Sequence, residues 1–484
     1  VDRAQIVETH ISVLVFLGDR VYKVRKPITT PFLDFSTREM RLADCRREVA
    51  LNRRLAPDVY LGVHDVVDES GAPVDHLVVM RRLPPERRLA TMISRAEFDP
   101  SHLARVARTL AGFHERAERS PQVDRAGSVE HLTMLWSTNL DETEPFLGTL
   151  LDPAAHARIR RIALAYLAGR HPLLAGRVAS GRIVDGHGDL LAEDVFCLDD
   201  GPRILDCIEF DPLFRWGDVL YDTSFLAMDL EHLGHPDLAR RFLADYREFT
   251  AETHPVSLEH WYIAYRALVR AKIACLRAEG GDPTAPAEAA AFLAQAAGHV
   301  SEAEVHLVLV GGLPGTGKTT VAQGLADRFD WDLLRSDEIR KEIAGLDRRQ
   351  HAPSAPFEGL YTPELTERTY SEVLRRARVA LENGDSVILD ASWLDPEHRD
   401  AARALAGQTH STLHELCAVV DVREAEERIR ARAAIGADPS DATPEVLAAR
   451  AARGVVPWDG AQAIDTARSP ADVLARAAAT VRPG

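Results

Sequence analysis

Cysteine is scarce in this chain. The five among 484 residues, Cys45, Cys197, Cys207, Cys275 and Cys417, stand far apart without metal-type spacing, which argues for reduced, buried thiols rather than a disulfide framework or a structural zinc. Long apolar runs are missing too. None approaches the roughly 18 residues that mark a membrane helix, so a soluble protein is expected. Nor is there a surplus of positive charge. With 58 Lys and Arg against 74 Asp and Glu, the formal net charge is −16, which disfavours an extended nucleic-acid or anionic-lipid footprint because neutralising phosphates takes clustered cations. Local basic stretches such as "RREVALNRRL" and "RIRARAA" leave an end-recognition pocket open, although such runs also suit solvated helix faces. The opening "VDRAQIVETHISVLVFLGDR" lacks a basic segment followed by an apolar stretch and a cleavage site, so the cytoplasm is the expected location.

What remains is a globular composition, 46% hydrophobic and 27% charged, in a chain long enough for more than one core. "ISVLVFLGDRVYKVRK" alternates apolar positions around "GDR" and predicts an antiparallel hairpin. A helix follows in "RLADCRREVALNRRL", a strand in "HLVVMRRL", and helical periodicity dominates 101–178 and 222–277. The first domain therefore reads as α+β over 1–278. "EGGDPTAP" breaks the pattern, so 279–302 reads as a linker with an Ala-rich connecting helix at about 286–300. From 303 to 484, the apolar runs "VHLVLV", "DLLRSD", "SVILDAS" and "TLHELCAVV" alternate with helical segments, predicting an α/β domain around a parallel sheet.

"GGLPGTGKTT" matches G-x-x-x-x-G-K-[ST] from Gly312 to Thr319, after a strand and before a helix. Gly312, Gly315 and Gly317 let the backbone turn and, with Thr316 and Thr320, aim N–H groups at phosphate. Lys318 is expected to supply charge at the outer phosphates, Thr319 can ligate magnesium, and the helix that follows adds its positive end. In "LLRSDEIRKEI", Asp337 follows a strand as a candidate acceptor base, with Arg340 one turn on as a candidate substrate contact. A helix N-cap is the alternative for Asp337. Asp390 ends "SVILDAS" as a metal-holding carboxylate or a simple turn residue. Arg428 and Arg432, four apart, are candidates to close over the transferring phosphate or lie on a solvent face. These motifs resemble the P-loop kinase group that includes polynucleotide kinases, zeta toxins and gluconate kinases, over roughly 303–482, which implies phosphorylation of a hydroxyl.

The first half carries an acidic concentration in "DGHGDLLAEDVFCL" and "ILDCIEFD". It resembles the catalytic loop of aminoglycoside phosphotransferases and related protein-kinase-like small-molecule kinases over about 5–278. That resemblance implies Asp189 as the base, Asp194 and Asp206 as magnesium ligands, Lys23 as the ATP-binding lysine with Glu48 as its ion-pair partner, and "HLVVMRR" as the adenine hinge. Two departures stand out: no glycine-rich loop precedes Lys23, and Asp194 replaces an expected Asn. The whole resembles a bacterial fusion of the two kinase types. It implies an ATP- and Mg2+-dependent enzyme with two phosphotransferase sites acting on hydroxyls of small molecules. The alternatives are a polynucleotide or nucleotide-sugar kinase in the second half beside a binding module or pseudokinase, and a regulatory or toxin-like ATPase. Arg266, Arg270 and Arg277 fall near one helix face, either to receive an anion or to meet solvent.

Overall fold

The computed structural model describes residues 4–9, 11–30, 33–95, 98–347, 359–435, 443–451 and 457–482. Two compact units emerge, Val1–Arg160 with Leu174–Glu302, and Arg161–Leu173 with Ala303–Gly484. The Ala-rich helix Ala285–Ala303 falls in the first unit up to Glu302. Its stripe of Ala289, Phe292, Leu293, Ala296 and Val300 is buried, and Gln295 donates to Met228 O at 2.9 Å.

The first unit opens with an antiparallel sheet of β1 (Gln5–Glu8), β2 (Ser12–Leu17), β3 (Arg20–Arg25), β4 (Tyr60–Val67) and β5 (Pro73–Arg81), in the order β1-β2-β3-β5-β4. The β2–β3 hairpin turns at Gly18–Asp19, opposing Leu17 to Arg20 and Leu14 to Lys23. The helix Arg38–Asn52 starts where the Thr37 hydroxyl accepts from Met40 N, a cap that satisfies an orphan donor. Its Cys45 and Val49 meet Val21, Val78 and Met80 in one core. The remainder is mainly helical, including Ser101–Arg116, Val219–His232, Pro236–Thr250 and Val256–Glu279. Between these helices run two short antiparallel ladders, β6 (Ile183–Asp185) with β9 (Trp216–Asp218) and β7 (Val195–Leu198) with β8 (Gly201–Ile204).

The second unit is an α/β domain. Its parallel sheet comprises β10 (His306–Gly311), β11 (Asp332–Arg335), β12 (Val387–Asp390), β13 (Thr412–Val419) and β14 (Gln462–Asp465), in the order β11-β12-β10-β13-β14. Every residue of β10 is buried, as befits a central parallel strand covered on both faces. The helices Lys318–Phe329 and Pro470–Val481 seal one face, Val321 and Leu325 joining Val473 and Ala477. β14 was not anticipated: "QAID" is short and half-exposed, with none of the apolar run that marks its neighbours. No described helix is long and apolar enough to cross a membrane.

Candidate active sites

In the first unit, alternation along β3 puts Lys23 and Arg25 on one face, toward the helix Arg38–Asn52. Lys23 Nζ lies 2.8 Å from Glu48 Oε1 and 3.4 Å from Asp206 Oδ1. Burial opposes its charge, but Glu48 and Asp206 overcome that and hold the ammonium group protonated. Glu48 also meets Arg25 Nη2 at 2.8 Å; Arg25 pairs further with Asp44 at 2.7 Å and with Glu209. Glu209 stood out only as one of the clustered acids of "ILDCIEFD", while Arg25 and Asp44 had no signature in the sequence, because ion pairs across 19 to 184 positions carry no local pattern.

The loop that carries Asp189 is pinned by its backbone. His187 N and Gly188 N donate to Asp222 Oδ2 and Oδ1 at 2.7 and 2.8 Å, and Ala192 N donates to Asp229 Oδ2 at 2.8 Å. Asp222 also faces His114 Nε2 at 3.1 Å, whose Nδ1 lies 2.8 Å from Tyr246 Oη. Burial would raise the Asp222 carboxyl; His114 and the loop amide outweigh it and keep the group ionised. Asp206 sits in the left-handed region at φ 63°, a conformation Asp tolerates better than most residues, while Cys207 N donates to Asn52 Oδ1 at 2.9 Å.

Lys23, Asp189, Asp194, Asp206 and Glu209 all line one cavity of about 700 Å³, whose apolar wall includes Val21 and Met80. Burial pushes Asp189 up to about 6, with Arg270 pulling the other way. Asp194 is raised as well, by burial first and then by Asp206 and Asp189, whereas Lys23 draws Asp206 down. The acids outnumber the cations around Asp194, and a divalent cation relieves such crowding. Among the described residues no three His, Cys, Asp or Glu side chains converge closely enough to hold a metal by themselves; magnesium habitually takes its remaining ligands from phosphate and water. Where a glycine-rich loop would be expected, only residues 9–11 join β1 to β2.

In the second unit the phosphate loop leaves β10. Gly312 has φ 137° and Gly315 φ 78°, and a Cβ on Gly312 would stand 2.5 Å from Ala418 O, so side chains are excluded by both space and conformation. Gly317 precedes the helix that begins at Lys318. Thr319 Oγ1 donates to Asp390 Oδ2 at 2.7 Å. The other oxygen, Asp390 Oδ1, is buried without a hydrogen-bond partner, and burial raises this carboxyl against the pull of Lys318. An orphaned oxygen beside a threonine hydroxyl is a donor set that fits magnesium. Thr316 is spent on the loop itself, its hydroxyl donating to Leu313 O at 2.8 Å and its carbonyl accepting from Thr466 Oγ1 at 2.6 Å. Thr320 is exposed on the first helical turn.

Asp337 is the second residue of the helix Ser336–Ile343, whose cap position is Arg335, so the cap alternative for Asp337 does not hold. It accepts from Arg340 Nη1 at 2.9 Å, and the buried Arg340 guanidinium lies over the Tyr361 ring at 4.9 Å. Arg335, which the sequence did not single out, reaches Asp390 at 3.6 Å. Arg428 bonds Glu424 and Thr466 O at 2.5 and 2.9 Å and comes within 3.6 Å of the position a Cβ on Gly317 would take. Arg432 belongs to the helix Val422–Ile435, but its side chain lies outside the described residues. Arg277 leaves the expected arginine trio: Asp282 and Glu288 neutralise it at 2.5 and 2.7 Å.

A family model described as an AAA domain matches residues 307–456. Parts of the chain are similar to solved structures. These include a choline/ethanolamine kinase family protein from Mesorhizobium loti (16% identity, TM-score 0.40, 62% of this chain and 88% of that one) and the GDP complex of wild-type aminoglycoside 2'-phosphotransferase-IIIa (16%, 0.35, 62% and 93%). A gluconokinase from Sinorhizobium meliloti 1021 is similar over a shorter stretch (17%, 0.26, 37% and 92%). Fold and family model together define a two-domain protein, an α+β domain with an antiparallel sheet followed by a P-loop NTPase domain. At 42% identity over 460 residues, 95% of this chain and 92% of the relative, the chain belongs to the family of the uncharacterized protein Rv2004c of Mycobacterium tuberculosis and the uncharacterized protein Mb2027c of Mycobacterium bovis.

Proposed function

We propose that the chain is an ATP-dependent phosphotransferase with two kinase-type sites, each transferring the γ-phosphoryl group to a hydroxyl of a small molecule. The observation that carries the reading is Lys23, held 2.8 Å from Glu48 and 3.4 Å from Asp206 in the cavity that Asp189 and Asp194 also line. Such a lysine steadies ATP phosphates while its glutamate keeps it in place. Asp189 orients the acceptor hydroxyl and accepts its proton as the new oxygen–phosphorus bond forms. In the second unit the loop amides and Lys318 cradle the phosphates, Asp337 orients the acceptor, Arg340 contacts it, and Arg428 with Arg432 closes over the transferring group. Asp194 and Asp206 in one unit, and Thr319 and Asp390 in the other, would hold magnesium, which when bound would neutralise phosphate charge.

A second reading, an active P-loop kinase beside a pseudokinase, draws on the short 9–11 connection without glycine. Calorimetry with a nonhydrolysable ATP analogue and magnesium separates the two. The first reading expects two equivalents per chain, one lost in Lys318→Ala and the other in Lys23→Ala. A single equivalent abolished by Lys318→Ala would favour the pseudokinase.

A further inference from the structure

Two guanidinium groups on the helix Val256–Glu279 lack the carboxylate partner that buried arginines ordinarily keep. Arg266 is 3% exposed. Its Nε donates to Tyr221 O at 3.0 Å, its guanidinium carbon lies 3.3 Å from the Tyr221 ring centroid and 4.4 Å from that of Phe225, and its Nη2 is buried without a hydrogen-bond partner. Arg270, one turn later on the same face, is half-buried, and its Nε is likewise buried and unpartnered. Neither arginine forms an ion pair among the described residues.

Both sit beside the supports of the Asp189 loop. Tyr221, which carries Arg266, adjoins the Asp222 that takes the His187 and Gly188 amides. Against the effect of burial, Arg270 and then Arg266 draw the Asp189 carboxyl down, and Arg270 does the same to Asp229, the residue that holds Ala192 N. These positions are mid-helix, so no helix terminus neutralises the two cations.

We propose that the acceptor phosphorylated by the first unit carries a compact anionic group, a carboxylate or a phosphate ester, that seats against Arg270 with Arg266 behind it while its hydroxyl meets Asp189. The inference rests on the phosphotransferase reading above. An arginine fork suits either group through paired N–H donors; a cationic acceptor would face two like charges, and a neutral one would leave both guanidinium charges without a counter-charge. In the transfer, the acceptor oxygen bonds to the γ-phosphorus as the β–γ bridging bond breaks. ADP keeps that electron pair, and the acceptor proton passes to Asp189.

The test uses the full chain carrying Lys318→Ala, so that only the first unit handles nucleotide. Incubation with MgATP and a metabolite extract divided by ion exchange into cationic, neutral and anionic pools, followed by mass spectrometry, should yield a phosphoester from the anionic pool. Arg270→Gln should raise the KM for that acceptor at least tenfold with the KM for ATP unchanged, and Arg270→Lys should recover part of the loss. In parallel, orthophosphate is titrated by calorimetry into the same protein saturated with MgADP; binding should weaken at least tenfold in Arg270→Gln. A product from the cationic or neutral pool, or orthophosphate binding that ignores Arg270, overturns the anionic acceptor and leaves the kinase reading standing. Arg270-dependent orthophosphate binding with no phosphoester from any pool keeps the anion site and removes the kinase reading.

Discussion

At the scale of single residues, Asp194 is the informative departure. It occupies a position where an amide was expected, and burial, Asp206 and Asp189 all press its carboxyl toward protonation. Asp194→Asn keeps an oxygen ligand and removes one negative charge. Turnover by the first unit should therefore persist within a few-fold, while half-saturation by magnesium moves to a higher concentration. Asp194→Ala removes the proposed ligand and should lower turnover by at least about a hundredfold, an effect on the scale of losing a well-placed electrostatic group. A magnesium titration of both variants checks this, and an Asp194→Ala enzyme that titrates like its parent would remove the residue from the metal site. Asp189 and Asp206 were legible as parts of a motif. Asp222 was not, because its role depends on accepting two amides from a loop 34 and 35 positions upstream.

At the scale of elements, the phosphate loop and one buried charge network set the constraints. Gly312→Ala would place a Cβ 2.5 Å from Ala418 O on a backbone at φ 137°, so the loop must shift. Nucleotide affinity of the second unit should fall at least tenfold by calorimetry, with the Lys23-dependent equivalent untouched. In the first unit Glu252 takes Arg177 at 2.5 Å, Arg182 at 3.0 Å and His254 at 3.1 Å. Burial would raise its carboxyl, but His254 and Arg177 overcome that and depress it to about 2. The folded value lies below the ordinary 4.5, so its stabilisation is complete above about pH 4.5 and is lost as pH falls toward 2. His254 behaves oppositely: Glu252 and Glu259 raise it against burial, so its contribution is complete below about 6.5 and is lost as pH rises through the higher folded value. Denaturant titrations between pH 6 and 2 should find the parent losing about 3 kcal/mol more than Glu252→Gln, at ~1.4 kcal/mol per pKa unit.

At the scale of the whole molecule, the two nucleotide sites proposed here, one per unit, would make stability ligand-dependent in two places. A nonhydrolysable ATP analogue at about a hundred times its dissociation constant should stabilise a unit that binds it by about 2.7 kcal/mol. Hydrogen exchange followed separately in β10 and in the β2–β3 hairpin reads the two increments. Lys318→Ala should erase the gain in β10 and spare the hairpin, and Lys23→Ala the reverse. Loss of both gains in Lys318→Ala would leave the first unit without a nucleotide site.

Sequence alone determined the two-part architecture, the parallel character of the second sheet and the phosphate loop. Each rests on local pattern: an apolar run buried on both faces, a period of 3.6 or 2, or glycines at fixed spacing before a lysine. Tertiary structure decided what local pattern cannot carry. It added β14, a four-residue strand that buries only Ile464 and owes its place to pairing with β13 rather than to an apolar run of its own. It brought Arg25 and Glu209 to Glu48, and Asp222 to the Asp189 loop. It also divided the three arginines of one helix, pairing Arg277 with acids while leaving Arg266 and Arg270 beside the Asp189 loop. A charge can be read from the chain, but its counter-charge depends on which elements pack together, and only the folded core settles that.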